Sequence, residues 1–456
     1  MSCLRNNIAL LTCLCLITGQ IAIAQSNGTN SSYSRYGLGI PADQSQSYNR
    51  SMGGVAQGLR ASYRINQQNP ASYSAIDSLT FLFDVGMSGQ RTIMSQDNTR
   101  KYLNNTSFDY VNAAFRIRKD LGMSIGFRPY THIGYSFSKE EYIGKDNTTN
   151  ENLTQTLTFK STDSNNMVLG GGLHQVYAGL GWMPFNGFSV GANAGLLWGN
   201  INHKITQTYT QNGTTTTTDN NISHFYTSSI LTWKGDIGLQ YQTILNATNR
   251  LTLGATVGIG HRIGSEASYI SSTTNGSADT LSVTNAYQLP MTYSIGAAWE
   301  HAEQWTVAAD CALEQWGDCT IPQVNEKTKA YEATTGAYKN RFRFNVGAEY
   351  VPARYDRRFS QRINYRFGAY YSTPYIKVNG QDGPKEYGLT AGIGLPITNF
   401  WTNSSYLNLY SPSYVHLGVQ WTHRAPSSST LISEHIFQVN IGLTFNERWF
   451  QKWKFK

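Results

Sequence analysis

The chain has 456 residues and a formal net charge of +8, yet charged side chains make up 14% of it, against about 25% in an ordinary soluble domain. Aromatic residues reach 13%, and Gly outnumbers Pro by 42 to 12. This composition excludes a soluble enzyme with a charged surface. The one long apolar run lies at the N-terminus, which excludes a bundle of membrane-spanning helices. The basic residues are scattered along the sequence, so no nucleic-acid partner is expected.

The first 24 residues have the layout of a secretory signal peptide. Arg5 supplies the positive charge, and Ile8 to Ile17 form the apolar stretch. Ala22-Ile23-Ala24 is a small-residue cleavage site, which predicts Gln25 as the mature N-terminus.

Two cysteines, Cys311 and Cys319, remain after this cleavage. On one extended strand they would lie about 27 Å apart, whereas a disulfide needs Cα atoms within about 7 Å. A bridge therefore requires the chain to turn after Trp316. Neither the cysteines nor the nine histidines match a metal-binding spacing, so no metal and no cofactor are expected.

Two segments precede the first predicted strand. Residues 25–45 are rich in Ser, Asn, Gly and Tyr and are expected to be poorly ordered. Residues 46–77 contain Gly53-Gly54 and Asn69-Pro70-Ala71 without a period of two, which indicates a compact, partly helical segment.

From residue 78 onward apolar and polar side chains alternate, which indicates strands with one apolar face. Charges such as Asp236 and Glu349 fall on the polar face, which must then line an interior while the apolar face meets lipid. The pattern recurs fourteen times, in spans long enough to cross a bilayer as tilted strands. The approximate spans are 78–92, 106–118, 121–138, 170–183, 187–202, 223–242, 249–268, 284–299, 304–316, 340–351, 362–373, 385–396, 412–423 and 433–446.

The connections alternate in length as well. Short ones, such as Lys119-Asp120, alternate with long polar ones near 93–105, 139–169, 203–222, 269–283 and 317–339. Short periplasmic turns and long external loops give this rhythm. The sequence therefore predicts an all-β fold, a transmembrane antiparallel β-barrel of about 14 strands over 78–456. We expect it in the outer membrane of a Gram-negative bacterium, with both termini in the periplasm.

A soluble β-sandwich would also show alternating faces. Its outer face would normally carry Lys and Glu, whereas the polar face here is largely Gly, Ser, Thr and Asn. Tryptophans near the span ends favour an interfacial girdle instead: Trp182, Trp198, Trp299, Trp305 and Trp421.

A barrel of fourteen strands has an interior that must be filled or will conduct water. Residues 46–77 are the predicted filler, so we expect 25–77 to form an N-terminal extension and a hatch inside the lumen. Pro70 fixes its own φ and keeps Asn69 out of the helical region, while the small Ala71 permits a close approach. Asn69 is then free for local side-chain hydrogen bonds. The expected hatch residues are Gly53, Gly54, Asn69, Pro70 and Ala71.

Pro129 lies within the third span, 121–138. Proline cannot donate to the ladder, so it leaves a partner carbonyl unpaired and favours a bulge or kink. Two interpretations stay open: the break lies within the membrane, or it lies above the bilayer, where it costs little.

Two segments, Gly122–Gly126 and Gly187–Gly191, match the G-x-S-x-G pattern of serine hydrolases. The nucleophile elbow requires a strand, a sharp turn and a helix, whereas both segments lie within alternating strands. Gly170-Gly171-Gly172 lacks the Lys-Ser/Thr that follows in a phosphate-binding loop. The sequence predicts no enzyme activity.

Several short motifs keep a fixed order along the chain. They are Ser51 to Ala56, Asn69-Pro70-Ala71, Gly170 to Gly172 with Gln175 and Tyr177, Leu289-Pro290, and Trp305 to Trp316 with Asp310. With the fourteen spans, they resemble the outer-membrane long-chain fatty acid transporters, the FadL/TodX-like proteins. The resemblance implies uptake of a hydrophobic molecule past an N-terminal hatch and sideways release through a kinked third strand. It places Asn69, Pro70 and Ala71 in the hatch and makes Pro129 the lateral portal.

Two functions are consistent with this reading. The first is passive transport of a hydrophobic, long-chain fatty acid-like molecule, driven by its own gradient. The second is a binding scaffold or protein-secretion platform built on the same barrel. A transporter should carry apolar loops over its external mouth, and a scaffold should present polar, extended ones, as the polar stretch 203–222 does. The expected partners are a hydrophobic or amphipathic ligand and outer-membrane lipid.

Overall fold

The structure is a computed structural model that describes most of residues 28–447. The signal peptide, Gly170 and most of the stretch 214–218 lie outside the described residues. The internal positions left out are 79, 97–98, 146–151, 162–170, 212–213, 216–221, 274–275, 277, 326, 379, 398–412 and 429–430.

Fourteen antiparallel strands form the wall of a closed barrel, as the alternation predicted. Four of them consist of two segments. The wall strands are β1 (Phe81–Gln96), β2 (Thr99–Arg118), β3 (Leu121–Pro129 and Ser136–Lys145), β4 (Asn152–Ser161 and Gly172–Phe185), β5 (Phe188–Gln211), β6 (Ile222–Ile244), β7 (Asn249–Gly258 and Glu266–Thr273), β8 (Asp279–Thr284 and Thr292–His301), β9 (Trp305–Glu314), β10 (Arg341–Tyr350), β11 (Asn364–Ser372), β12 (Lys385–Ile397), β13 (Ser413–Ala425) and β14 (Ser433–Glu447).

The first and last wall strands close the ring. β1 pairs with β14 from Phe81–Glu447 to Ser95–Ser433. The first strand therefore begins, and the last one ends, at the same end of the barrel. We call this the turn end, because connections such as 119–120 and 245–248 lie there, and we call the opposite end the loop end.

The outer face of the wall is apolar and the inner face is polar. Leu231, Ile295 and Phe367 point outward and are 71%, 63% and 63% exposed. Glu349 faces the interior and is 2% exposed, as predicted. This is the pattern of a membrane-spanning barrel. Within the described part of the chain, no helix combines the length and the apolar character needed to cross a membrane.

The loop-end connections differ from the sequence prediction. The stretches 93–105 and 203–222 were expected to be long loops, but their described residues are mostly continuations of the strands. β1 and β2 stay paired as far as Gln96–Thr99, and β5 and β6 extend well past the apolar belt. The reason is that Thr, Tyr and Ile keep a β-preference even where no lipid requires an apolar face.

Short elements pack into the loop-end half of the lumen. Among them are the strand pairs Arg262–Ile263 with Tyr287–Gln288 and Ile321–Val324 with Tyr331–Thr334. They contribute to a buried apolar cluster, the loop-end core, which includes Tyr33, Ile133, Leu197, Ile230, Leu289, Trp316, Tyr338 and Tyr375. Cys319 belongs to this core and is unbridged, as is Cys311, although a 3-10 turn at Trp316–Asp318 separates the two.

Candidate functional site: the N-terminal segment and the gap in the wall

Residues 28–77, the N-terminal segment, run through the interior of the barrel. The stretch 28–45 was expected to be poorly ordered, and that expectation is wrong. It forms a 3-10 helix at Ser32–Arg35 and a short strand at Ile40–Pro41. The Tyr33 hydroxyl donates to the carbonyl oxygen of Ile432 at 2.6 Å. The polar composition of residues 28–45 did not indicate this ordered structure, because the residues that hold the stretch in place are distant in sequence.

Gly53 and Gly54 follow the short α-helix Ser47–Arg50. Their φ angles are +70° and +81°, in the left-handed region that favours glycine. A Cβ on Gly53 would stand 2.6 Å from the carbonyl oxygen of Ala369 in β11. The Gly53 N–H donates to the hydroxyl of Thr390 in β12 at 2.9 Å. The two glycines thus bring the backbone of the segment into contact with the inner wall.

Asn69-Pro70-Ala71 begins a second 3-10 helix, Pro70–Ala75. Asn69 has a φ of −128° and a ψ of 101°, the extended conformation expected before proline. Its side chain accepts a hydrogen bond from the Ala71 N–H at 3.2 Å and donates to the carbonyls of Gln57 at 2.9 Å and Leu239 at 3.2 Å. Asn69 is fully buried. It therefore joins two turns of the segment to strand β6.

Glycines on the inner face of the wall make room for these turns. A Cβ on Gly254 would overlap the carbonyl oxygen of Gln57, and one on Gly191 would overlap the backbone of Pro70. Gly191 belongs to a G-x-S-x-G match, and the Ser189 hydroxyl of that match accepts a hydrogen bond from Ser74 at 3.1 Å. The first match lies in β3, and the second begins at Gly187 in the turn before β5 and continues into that strand. Gly122, Gly191 and Ser189 of these matches pack against the segment.

Asp310 on β9 holds the backbone that follows the two glycines. Its Oδ2 accepts hydrogen bonds from the N–H groups of Ala56 at 2.5 Å and Gln57 at 3.0 Å. Asp310 is buried, and hydrogen bonds to a carboxylate are about twice as strong as neutral ones. The sequence contained Asp310 within a family-like stretch, but gave no sign of its partners.

A buried ion pair fixes the middle of the segment. Arg50, 2% exposed, places Nη1 2.5 Å from Oδ2 of Asp109 in β2 and Nε 3.7 Å from Oδ2 of Asp43. Burial raises the pKa of the Asp43 carboxyl, but Arg50 and Arg343 together hold that pKa below its usual range. Breaking a buried pair by removing one partner costs about 3–5 kcal/mol. The segment is therefore firmly attached to the wall here.

A second charge cluster ties the segment to the turn end. Glu349 in β10 is 2.7 Å from Arg64 of the segment and 2.7 Å from Arg366 of β11. Arg354, in the turn after β10, is 3.8 Å from the same carboxylate. One buried carboxylate thus joins the segment, the wall and a turn.

The spaces left between the segment and the wall are small and polar. Three cavities measure about 180, 100 and 260 Å³. An acyl chain in these cavities would separate buried charges from their polar partners, and burying a charge without such partners costs free energy. These cavities suit water better than an acyl chain. Their lining includes Asp43, Gln57, Arg64, Asp109, Arg128, Lys234, Asp236, Glu314, Arg341, Arg343, Glu349 and Glu386.

Strand β3 leaves the wall after Pro129. Its pairing with β2 ends at the pair formed by Phe127 and Val111. The Tyr130 N–H donates to the carbonyl of Leu173 in β4 at 2.7 Å. Because successive N–H groups point to alternate neighbours, the nitrogen of Pro129, which has no hydrogen, faces β2. The predicted kink is therefore an interruption of the strand, which resumes at residue 136.

A gap in the wall borders this proline. Among the described residues, the stretch 99–110 of β2 pairs only with β1, and Ser136–Lys145 of β3 pairs only with β4. Pro129 pairs with His174, and His174 pairs with Trp198. The gap thus begins at the level of a girdle tryptophan, at the loop-end edge of the apolar belt.

The N-terminal segment closes this gap. Ile40–Pro41 pair with Thr131–His132, where the chain of β3 crosses the interior. The Gly134 N–H donates to the Ser34 hydroxyl at 3.1 Å. The Asn30 amide donates to the carbonyl of Asn104, on the free edge of β2, at 3.3 Å.

Solved structures with the same fold include two toluene transporters and a FadL homologue. The toluene transporter TodX of Pseudomonas putida is 15% identical, with a TM-score of 0.53, over 91% of this chain and 100% of that chain. The toluene transporter TbuX of Ralstonia pickettii is 13% identical, with a TM-score of 0.52, over 91% and 98%. A FadL homologue of Pseudomonas aeruginosa is 9% identical, with a TM-score of 0.58, over 90% and 99%.

At these identities the likeness shows a shared fold, the FadL-like outer-membrane barrel that the motifs predicted. No curated protein matches the sequence. A family model named BamG matches residues 6–456, and the chain therefore belongs to the BamG family.

Proposed function

We propose that this protein is a binding scaffold in the outer membrane, a barrel that presents surfaces to partners while its interior stays closed. The observation that supports the proposal is the attachment of the N-terminal segment. Asp310, the Arg50 pair and the Glu349 cluster bind it at three places, and the loop-end core packs above it. A passage through the lumen would break several buried ion pairs together, at about 3–5 kcal/mol each.

The polarity of the interior supports the same function. An acyl chain gains about 0.8 kcal/mol for each methylene that it buries in apolar surroundings. The three cavities beside the N-terminal segment are lined by charges and amides and do not offer that environment.

The loop end carries the surface that a scaffold needs. Ser136–Lys145 and Asn152–Ser161 form a hairpin that pairs with the far end of β5. Lys139 and Glu141 on this hairpin are 66% and 60% exposed. The hairpin is polar and extended, and one edge of it pairs with no other described strand. A partner can add an extended strand to such an edge.

The scaffold is tested with a shortened hairpin. Ser138 and Thr158 pair directly, so a two-residue turn can replace the residues between them. The change removes the pairing with β5 at Gln207–Gln211 and leaves the strands of the apolar belt intact. We expect the intact protein to migrate in mild detergent as an assembly larger than the barrel, and the shortened protein to migrate as the barrel alone. Replacing Lys377–Asp382, another loop-end hairpin, is the control. Identical assemblies for the intact and shortened proteins would refute the hairpin as the docking surface.

Passive transport of a hydrophobic molecule is the second candidate, and the gap beside Pro129 favours it. Hydrocarbon channels share the fold, and the interruption of β3 provides a place for lateral release. For this function, residues 28–41 would have to leave the gap during each passage.

Liposome uptake separates the two candidates. Protein reconstituted in liposomes is mixed with a fluorescent long-chain fatty acid, and the rate of uptake is compared with that of protein-free liposomes. Equal rates support the scaffold. Faster uptake that disappears when residue 34 and residue 134 are joined by an engineered disulfide supports transport through the gap.

A further inference from the structure

A groove of about 1070 Å³ crosses the outer surface of the wall where the ring closes. Two rows of outward-facing residues, each linked by strand pairing, form most of it, and Asn30 of the N-terminal segment lies at its β2 side. The row nearer the turn end is Ala391, Val419, Val439, Gly89 and Thr106. The row nearer the loop end is Leu389, Trp421, Phe437, Arg91 and Asn104.

Two small residues in the first row, Ala391 and Gly89, leave space for the groove. Gly89 has no side chain, and a Cβ placed there would meet no atom within 4 Å. Large apolar side chains stand around it, with Leu389, Val419 and Val439 between 53% and 57% exposed. The floor and sides of the groove are therefore apolar and face the bilayer.

One cation, Arg91, lines the groove, and two more follow on the same face nearer the loop end. Toward the loop end, the next two outward-facing residues of β12 are Tyr387 and Lys385. The corresponding residues of β2 are Tyr102 and Arg100. Arg91 stacks over the ring of Tyr102, with its guanidinium carbon 5.3 Å from the centroid. The two rows of the groove and the next two toward the loop end contain no Asp or Glu, so among the residues that the structure describes Arg91, Arg100 and Lys385 have no carboxylate partner on this face.

We propose that this groove binds a phosphorylated lipid with acyl chains, taken from the leaflet at the loop end. The apolar rows accept the chains, and Arg91, Arg100 and Lys385 meet the phosphate groups. The proposal rests on neither proposed function, because the two rows that carry it face the bilayer.

The arrangement favours a lipid over the apolar face of a second membrane protein. Three unpaired cations above an apolar surface match a molecule with an anionic head and hydrocarbon tails. Each cation near a membrane surface changes the affinity for anionic lipid about fivefold. A second membrane protein would need carboxylates on its own lipid-facing surface to pair with these cations. Charged side chains at that depth in the membrane cost free energy.

Native mass spectrometry of the purified full chain tests the proposal, with lipid A and phosphatidylglycerol as probes. The wild-type protein should retain at least one of them. Arg91→Gln should reduce retention about fivefold. Gly89→Leu should abolish most of it, because the open space at Gly89 lets leucine fill the groove without strain in the wall.

Two controls make the result specific. Ala194→Leu adds the same bulk to an outward-facing position on β5, and Lys139→Gln removes an exposed cation from the hairpin. Neither should change retention. Preference for lipid A or for phosphatidylglycerol identifies the source of the phosphate, and either supports the site. Equal retention by all variants, or loss of a co-purifying membrane protein instead of lipid in Gly89→Leu, would overturn it.

Discussion

The carboxylate of Asp310 accepts a 2.5 Å hydrogen bond from the backbone N–H of Ala56. This contact connects a membrane-spanning strand to the segment inside the barrel. Replacing Asp310 with Asn removes the charge that strengthens both hydrogen bonds. A hydrogen bond to a charged group contributes about 1.5–3 kcal/mol, against about 0.5–1.5 kcal/mol for a neutral one. We expect Asp310→Asn to speed hydrogen exchange at Ala56 and Gln57 about tenfold or more, while exchange in β9 stays unchanged. Asp382→Asn, an exposed loop variant, is the control.

Arg50 and Asp109 should be coupled energetically. Arg50→Met leaves the Asp109 carboxylate buried without its cation, which costs about 3–5 kcal/mol. Asp109→Leu removes one of the two carboxylates that Arg50 pairs with, and Asp43 keeps Arg343 nearby. The double variant Arg50→Met with Asp109→Leu should therefore recover part of this loss. The measurement is the urea concentration at which the N-terminal segment becomes sensitive to protease. Additive losses in the double variant would contradict the coupling.

Packing of the segment against wall glycines predicts a contrast between two substitutions. Gly254→Val places carbon where the Gln57 carbonyl lies, whereas Gly89→Val points into open space outside the barrel. We expect Gly254→Val to lower the temperature at which unboiled protein shifts on a detergent gel, and Gly89→Val to leave that temperature unchanged. Equal shifts would mean that the segment does not touch the wall at Gly254.

Deletions should show which part of the segment blocks the lumen. Removing 46–77 empties the turn-end half, but 28–45 and the loop-end core still fill the rest. Planar-bilayer conductance should therefore rise less for the deletion of 46–77 than for the deletion of 28–77. The intact protein should conduct least. Equal conductance in all three proteins would contradict the hatch assignment.

Pro129 offers a test of the lateral portal. Valine restores an N–H on the side that faces β2, and a hydrogen bond there is worth about 0.5–1.5 kcal/mol. If the gap carries a ligand, Pro129→Val should slow uptake of a hydrophobic probe several-fold without affecting assembly of the barrel. Pro184→Val, near the turn end of β4, should not slow uptake. Equal rates for wild type and Pro129→Val would place any exit elsewhere.

Much of the wall could be predicted, because alternation is a local property. The positions of Asp236 and Glu349 on the inner face followed from the energetic cost of placing charges in lipid. The conformation of Asn69 also followed from a local rule, the restriction imposed by Pro70.

The contacts inside the lumen could not be predicted, since they join residues distant in sequence. Arg50 could have paired with many carboxylates, and only the fold selects Asp109. The order of residues 28–45 was missed for the same reason. A signal was nevertheless present in the lumen-facing glycines, such as Gly191 and Gly254, whose lack of side chains leaves room for a second layer of backbone.

The pairing of Phe81 with Glu447 sets an order for biogenesis. The ring cannot be completed until the last strand has been synthesised, yet the segment that it encloses is made first. Ser31 donates a hydrogen bond to Glu434, 403 positions later in the chain. The early segment cannot make this contact until the final strand is in place. Final packing of the N-terminal segment is therefore one of the last steps of folding, although the segment is the first part of the mature chain to be made.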